Sequence, residues 1–126
     1  MLLGYGKVRT FVKLQIKMIM KKSIKRLPKR TQEELTVLLD LVRKSIENCQ
    51  MVILFGSYAR GNYVLWDTNI EFGVHTSYQS DYDILLVVTG QTKYVERKLN
   101  RITNKYHDLF ADRRHAFPQF VVEHIN

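Results

Sequence analysis

Two short motifs contain the residues that are best suited to chemistry. Gly56-Ser57 follows an apolar run, and a glycine there lets the backbone turn sharply and approach a ligand. The amides that open a following helix are a natural phosphate site. Asp81 and Asp83 head a second apolar run, and alternate residues of a strand share a face. Mg²⁺ would offset the repulsion of two adjacent carboxylates, so the motifs together predict a site for a triphosphate and its metal.

Each motif alone has a simpler explanation. Gly56-Ser57 could merely join a strand to a helix, and an isolated Asp-x-Asp could be a solvated turn. The position of the acids favours a site, because they lead directly into the apolar residues 84–88, which would fix them at the end of a core strand. The glycine motif lacks the Lys-Ser/Thr ending of a P-loop.

The flanking sequence predicts the elements that position these motifs. Thr31 to Glu34 has the form of a capping box, and apolar residues then recur at three- and four-residue steps, which predicts an amphipathic helix of about 17 residues. Residues 51–55 are wholly apolar, as expected of a strand buried on both faces. Gly56-Ser57 then opens a short helix.

The second half of the chain continues the alternation. Residues 62–79 are polar and aromatic, which predicts an insertion loop, with or without a small hairpin. Residues 82–89 form a strand, residues 92–110 a second amphipathic helix, and Phe120-Val121-Val122 a last strand. This order predicts an α/β (α+β) fold with a small mixed β-sheet flanked by helices.

The net charge of +8 is concentrated at the start of the 126-residue chain. Residues 1–30 hold ten Lys and Arg and no acid, whereas the remainder has ten basic and twelve acidic residues, a net of −2. We assign residues 1–22 to a basic N-terminal extension and residues 23–126 to one domain. Residues 12–20 fit a strand or a helix, and Met18 or Met20 is an alternative start.

Composition excludes several classes of protein. The single cysteine excludes an internal disulfide framework and a Cys-rich zinc site. The apolar runs are far shorter than the roughly 20 residues of a membrane span, and no signal peptide is evident, so we expect a cytoplasmic protein without a membrane partner. No groove-reading motif accompanies the basic residues, which argues against nucleic acid as the main partner. Self-association through apolar residues of 8–20 stays open.

The run from Gly56 to Gly61, followed by Ser80-Asp81-Tyr82-Asp83-Ile84-Leu85, resembles the signature of the polymerase-beta-type nucleotidyltransferase superfamily. The likeness is greatest to minimal nucleotidyltransferases of the HEPN-linked kind, and it extends from about Ser23 to the C-terminus. The resemblance implies a nucleotidyltransferase fold whose acceptor-holding helical domain lies outside this chain. It also implies ATP or another NTP as substrate, with Mg²⁺ in a two-metal site.

The resemblance also implies roles for particular residues. Gly56 and Ser57 would contact the phosphates, and Asp81 and Asp83 would ligate the metal. Arg60 would steady a phosphate, although a solvated position fits it equally well. The superfamily usually supplies a third carboxylate from a later strand.

Glu123 is the candidate for that third acid, as metal ligand and general base. Asp is the commoner residue there, and Glu123 lies three residues from the end of the sequence.

The function implied by this resemblance is transfer of a nucleoside monophosphate, AMP from ATP in the first instance, to an acceptor hydroxyl. By resemblance the acceptor is a Tyr of a HEPN toxin, which would make the chain an antitoxin. A non-catalytic nucleotide-binding or antitoxin module is one alternative. An antibiotic-modifying adenylyltransferase is another.

Overall fold

The computed structural model describes residues 2–5, 25–71, 74–90 and 94–125. Nine elements follow one another along these residues. They are β1 (Leu2–Tyr5), α1 (Lys29–Ser45), β2 (Cys49–Phe55), α2 (Gly56–Arg60), β3 (Asp67–Glu71), β4 (Val74–Tyr78), β5 (Tyr82–Thr89), α3 (Val95–Leu109) and β6 (Pro118–Ile125). Residues 12–20, for which a strand or a helix is predicted, lie outside the described residues.

The main sheet has the strand order β1-β2-β5-β6. β1 and β2 are antiparallel, as are β2 and β5, whereas β6 runs parallel to β5. The molecule is therefore a mixed α+β fold with a small mixed sheet, as predicted. Leu2–Tyr5 belongs to this sheet, although the sequence interpretation places it in the N-terminal extension. β3 and β4 form a separate two-stranded hairpin, which confirms the small hairpin considered for residues 62–79.

The core lies on one side of the sheet, where α1 and α3 pack. Tyr82, Ile84, Leu86 and Val88 alternate along β5 and are almost completely buried. The helices contribute apolar residues at three- and four-residue steps to the same cluster, among them Leu35, Leu38, Val42, Leu99, Ile102 and Tyr106. The other side of β5 carries Asp83, Leu85 and Val87, which are half-buried. This alternation places the Asp83 side chain on the side of the sheet away from the helical core.

Two details of the prediction are wrong. The predicted capping box does not form, because α1 begins at Lys29 after Pro28 and no side chain caps it. Thr31 is instead a buried residue within the helix. The backbone N–H of Gln32 donates to the Pro28 carbonyl at 3.0 Å. β2 is not fully buried on both faces either, since Phe55 is 40% exposed.

α1 and β5 agree closely with the prediction, whereas β6 spans Pro118–Ile125 and is longer than the predicted Phe120-Val121-Val122. α1 has the predicted 17 residues, and β5 spans the predicted 82–89. α3 spans Val95–Leu109, and residues 92 and 93 of the predicted helix lie outside the described residues. Within the described ranges, no helix combines the length and apolar character needed to cross a membrane.

Candidate functional site

The glycine motif and the Asp-x-Asp motif meet at one end of the sheet. In the antiparallel pairing of β2 with β5, Phe55 lies directly opposite Asp83. Gly56 follows with φ of 73°, in the left-handed region that favours glycine. A Cβ placed on Gly56 would overlap the carboxylate of Asp83. Only a glycine therefore lets the turn and the carboxylate come this close.

Ser57 lies in the first turn of α2, one residue after this contact. α2 ends after a single turn at Gly61, whose N–H donates to the Ser57 carbonyl at 2.9 Å. The Ser57 side chain is half-buried, and its hydroxyl has no hydrogen-bond partner among the residues that the structure describes. It is thus available to a ligand beside the Asp83 carboxylate.

Asp81 and Asp83 flank Tyr82 in the sequence, and their side chains lie on the same side of the chain. Partial burial raises the pKa of Asp81, and the negative charge of Asp83 raises it further. The two carboxylates are therefore close enough to repel each other. Mg²⁺ in proteins is usually held by one or two carboxylates together with phosphate oxygens and water. The pair fits that role, although no group of three or more potential metal ligands occurs in the described residues.

Tyr82 anchors the strand between the two acids. It is 1% exposed, and its hydroxyl donates to Glu34 Oε1 at 2.7 Å. Glu34 is itself 2% exposed, and the same oxygen lies 3.3 Å from the hydroxyl of Tyr106, which donates to the Ala116 carbonyl at 2.8 Å. The other oxygen accepts from Arg30 at 3.4 Å and from Arg113 at 3.1 Å. A buried, fully paired carboxylate therefore holds the first residue of β5 in place.

An aromatic contact fixes α2 against the same residue. The Tyr58 ring packs edge-on to Tyr82 with centroids 4.6 Å apart, and it stacks on Tyr63 at 4.5 Å. Burial raises the pKa of Tyr58 to about 12, and the Glu34 charge adds to this effect. The Tyr58 phenol is therefore neutral at physiological pH, and α2 and β5 share one rigid aromatic support.

The loop before β5 is also tied down. The Ser80 amide donates to the Val64 carbonyl at 2.7 Å, and the Val64 amide donates to the Ser80 hydroxyl at 2.8 Å. Gln79 donates to the His115 carbonyl at 3.0 Å. These bonds join the two ends of the segment that carries the β3–β4 hairpin, and they tie down the residue that precedes Asp81.

Glu123 does not reach this site. β6 pairs in parallel register with β5, and Glu123 lies opposite Val87, whereas Gln119 lies opposite Asp83. Four residues of strand separate the two positions by about 13 Å. The assignment of Glu123 as third acid and metal ligand is therefore corrected by the register. Gln119, a neutral and exposed residue, occupies the position beside Asp83.

Arg60 is placed at the far end of α2 from Gly56. It is exposed and lines an open cavity of about 400 Å³ together with Arg26, Leu27 and Tyr63. The structure therefore brings together Gly56, Ser57, Asp81 and Asp83, but assigns Arg60 to a neighbouring surface.

Sequence reasoning missed Glu34 as a supporting residue, because it was assigned to the capping box. A signal was present: Glu34 precedes Leu38 by four residues and follows Thr31 by three, so it lies on the apolar face of the helix. A charged residue on that face needs partners, which here come from β5 and α3.

Comparison with protein-family models, with curated protein sequences and with solved structures gives no significant match.

Proposed function

We propose that this protein is a Mg²⁺-dependent nucleotidyltransferase that transfers a nucleoside monophosphate, AMP from ATP, to an acceptor hydroxyl, with release of pyrophosphate and of the hydroxyl proton. The observation that carries the proposal is the contact between the Gly56 turn and the Asp83 carboxylate. A phosphate-binding turn and a metal-binding pair must be adjacent to hold one triphosphate. The family resemblance of both motifs adds support.

In this proposal each residue has a limited role. The turn at Gly56 lets phosphate oxygens approach the backbone, and the Ser57 hydroxyl donates to one of them. Asp81 and Asp83 hold Mg²⁺, which when bound supplies positive charge to the triphosphate. Tyr82 and Glu34 are positioning residues that keep both carboxylates on the open side of β5.

The acceptor is proposed from the resemblance alone. It is the hydroxyl of a Tyr in a HEPN toxin, and the protein would act as the matching antitoxin in the cytoplasm. A helical HEPN-type partner would then hold the acceptor beside Asp83.

A second candidate function is a nucleotide-binding module without catalysis. Gln119 favours it, because this neutral residue lies opposite Asp83 where a third carboxylate would serve as general base. Such a module would bind Mg·ATP and a protein partner but transfer nothing. An antibiotic adenylyltransferase remains a third class, with no observation of its own in the structure.

ATP that carries an isotopic label at either the α- or the γ-phosphate distinguishes these functions. The protein is incubated with Mg²⁺ and a cell extract containing a candidate HEPN partner, using ATP labelled at either the α- or the γ-phosphate. Nucleotidyl transfer places the α-label, and not the γ-label, on an acceptor. Label on protein, or on an added aminoglycoside, identifies the acceptor class.

The matched control is the Asp81→Asn, Asp83→Asn double variant, which must lose the α-label. Absence of α-label with the wild-type protein, together with retained Mg·ATP binding, would support the non-catalytic module instead.

A further inference from the structure

A second surface of the molecule combines exposed arginines with exposed aromatic rings. It consists of two adjoining cavities of about 400 Å³ and 140 Å³ that share Tyr58 in their lining. Arg26 and Arg60 line the larger cavity, and Arg30 and Arg114 line the smaller one. We call these four residues and Trp66 the arginine surface.

Three of the four arginines carry a charge that no acid among the described residues compensates, whereas Arg30 pairs with Glu34. Among the described residues Glu34 is the only acid that lines either cavity, and it is 2% exposed with both oxygens already paired. Arg26, Arg60 and Arg114 are exposed and have no ion pair within the described ranges. Lys25 and Lys29 are exposed nearby in the sequence. A cluster of this kind attracts a polyanion.

An aromatic platform lies within the same surface. Trp66 is 39% exposed, and the Arg114 guanidinium lies 4.0 Å from its ring centroid. Tyr63, at the edge of the larger cavity, is half-buried and stacked on Tyr58. Exposed rings beside guanidinium groups provide stacking positions for unpaired bases.

The arginine surface is distinct from the candidate nucleotide site. The smaller cavity is lined by Tyr82, whose side chain points to the helical side of β5. Asp81 and Asp83 point to the other side, and Arg60 is one helical turn away from Gly56. A ligand on this surface therefore does not need the metal or the nucleotide.

We infer that the arginine surface binds single-stranded nucleic acid, with arginines contacting phosphates and a base stacking on Trp66. An acidic protein segment would pair with the arginines but would offer no flat group to the exposed part of the indole, which is 39% exposed beside the Arg114 guanidinium. A duplex would present phosphates but keeps its bases stacked. The combination of charge and exposed ring therefore favours an unpaired strand.

The experiment exploits the fact that Trp66 is the only tryptophan in the chain. The full-length protein, without ATP or Mg²⁺, is titrated with a 16-nucleotide RNA and with the DNA of the same sequence. Intrinsic fluorescence and the anisotropy of a labelled oligonucleotide are followed from 50 to 200 mM salt. We expect saturable quenching of Trp66 that parallels binding, and the two strands show whether the sugar matters.

Variants locate the binding. The triple change Arg26→Ala, Arg60→Ala and Arg114→Ala should weaken binding about tenfold or more, and reduce the slope of log K against log salt by about 2. Trp66→Ala should weaken it about fivefold or more. The matched control replaces three exposed basic residues of α3, Arg97, Arg101 and Lys105, by alanine, and should leave affinity and slope unchanged. Asp83→Asn should bind nucleic acid as the wild type does.

Three results would overturn the inference. Equal weakening by both triple variants would show that binding follows net charge alone. Equal quenching by a duplex would exclude recognition of unpaired bases. Equal quenching by polyglutamate of similar length would assign the surface to acidic proteins.

Discussion

Gly56 and Asp83 are in such close contact that a single added methyl group at residue 56 would collide with the carboxylate. The two residues are 27 positions apart in the sequence (83 − 56), and the β2–β5 register brings them together through the pairing of Phe55 with Asp83. The turn that would hold phosphate and the carboxylate that would hold its metal are thus one structural unit.

Replacement of Gly56 by alanine should therefore disrupt the site itself. We expect Gly56→Ala to displace the Asp83 side chain and to weaken Mg·ATP binding at least tenfold. Gly61→Ala is the matched control, since Gly61 also has a positive φ, of 85°, but has nothing within 4 Å of its added Cβ. That control should cost about 1–2 kcal/mol of stability and leave binding intact. Isothermal titration and urea unfolding of both variants measure the two effects, and equal loss of binding in both would contradict the role of the contact.

The register of β6 predicts a gain of function at Gln119. Gln119→Glu places a third carboxylate opposite Asp83, and we expect Mg²⁺ affinity to increase several-fold because a further anionic oxygen reaches the metal. Glu123→Gln should change neither metal affinity nor nucleotide binding. Mg²⁺ titration monitored by thermal shift compares the two, and a loss of affinity in Glu123→Gln would restore the original assignment of that residue.

The buried carboxylate of Glu34 should contribute far more to stability than its neighbour on the same helix. Glu34→Ala leaves the buried Tyr82 hydroxyl without its partner and removes the buried carboxylate that pairs with Arg30 and Arg113, and we expect a loss of about 3 kcal/mol in the free energy of unfolding. Glu33 also bonds Arg113, at 3.3 Å, but is 58% exposed. Glu33→Ala should therefore cost less than about 1 kcal/mol. Urea denaturation gives both values, and a similar cost for the two would contradict the account of β5 anchoring.

A histidine pair behind β6 should make stability depend on pH. The His107 Nδ1 and His115 Nε2 atoms are 2.6 Å apart, and His115 Nδ1 lies 3.0 Å from the Arg113 carbonyl. A carbonyl only accepts, so His115 Nδ1 carries the proton and its Nε2 accepts from His107.

Burial lowers the pKa of His107, the His115 charge lowers it further, and Asp108 opposes the shift. A histidine whose folded pKa is lowered disfavours its charged form, so stability is lost as the pH falls below about 6.5. We expect the Tm to fall between pH 7 and pH 5, and to fall less in His107→Gln. An identical pH profile for the variant would exclude this pair as the cause.

Local patterns were sufficient to predict the elements around the site. The strand at 82–89 and the 17-residue length of α1 follow from periodicity, because each has one face against the core. To predict that Gly56 lies close to Asp83, it was enough that the two motifs lie on neighbouring strands. The fold class and the hairpin in residues 62–79 could also be predicted from local patterns.

Features that depend on strand register or on tertiary partners could not be predicted from the sequence. Glu123 and Gln119 are four residues apart on one face of β6, and nothing local says which lies opposite Asp83. Glu34 fits the sequence pattern of a capping box, but in the structure it is buried in the core beside the hydroxyls of Tyr82 and Tyr106. The arginine surface joins residues 26 and 114, which only the packed fold brings together.

Equilibrium binding of a Mg²⁺ complex of a non-hydrolysable ATP analogue tests the central claim most directly. Calorimetric titrations with Mg²⁺ and with EDTA compare the wild type with Asp83→Asn and with the control Glu123→Gln. The account predicts Mg²⁺-dependent binding by the wild type and by Glu123→Gln, with at least tenfold weaker binding by Asp83→Asn. Binding that is absent from the wild type, or that persists unchanged in Asp83→Asn or in EDTA, would contradict a metal-nucleotide site at the Gly56–Asp83 contact.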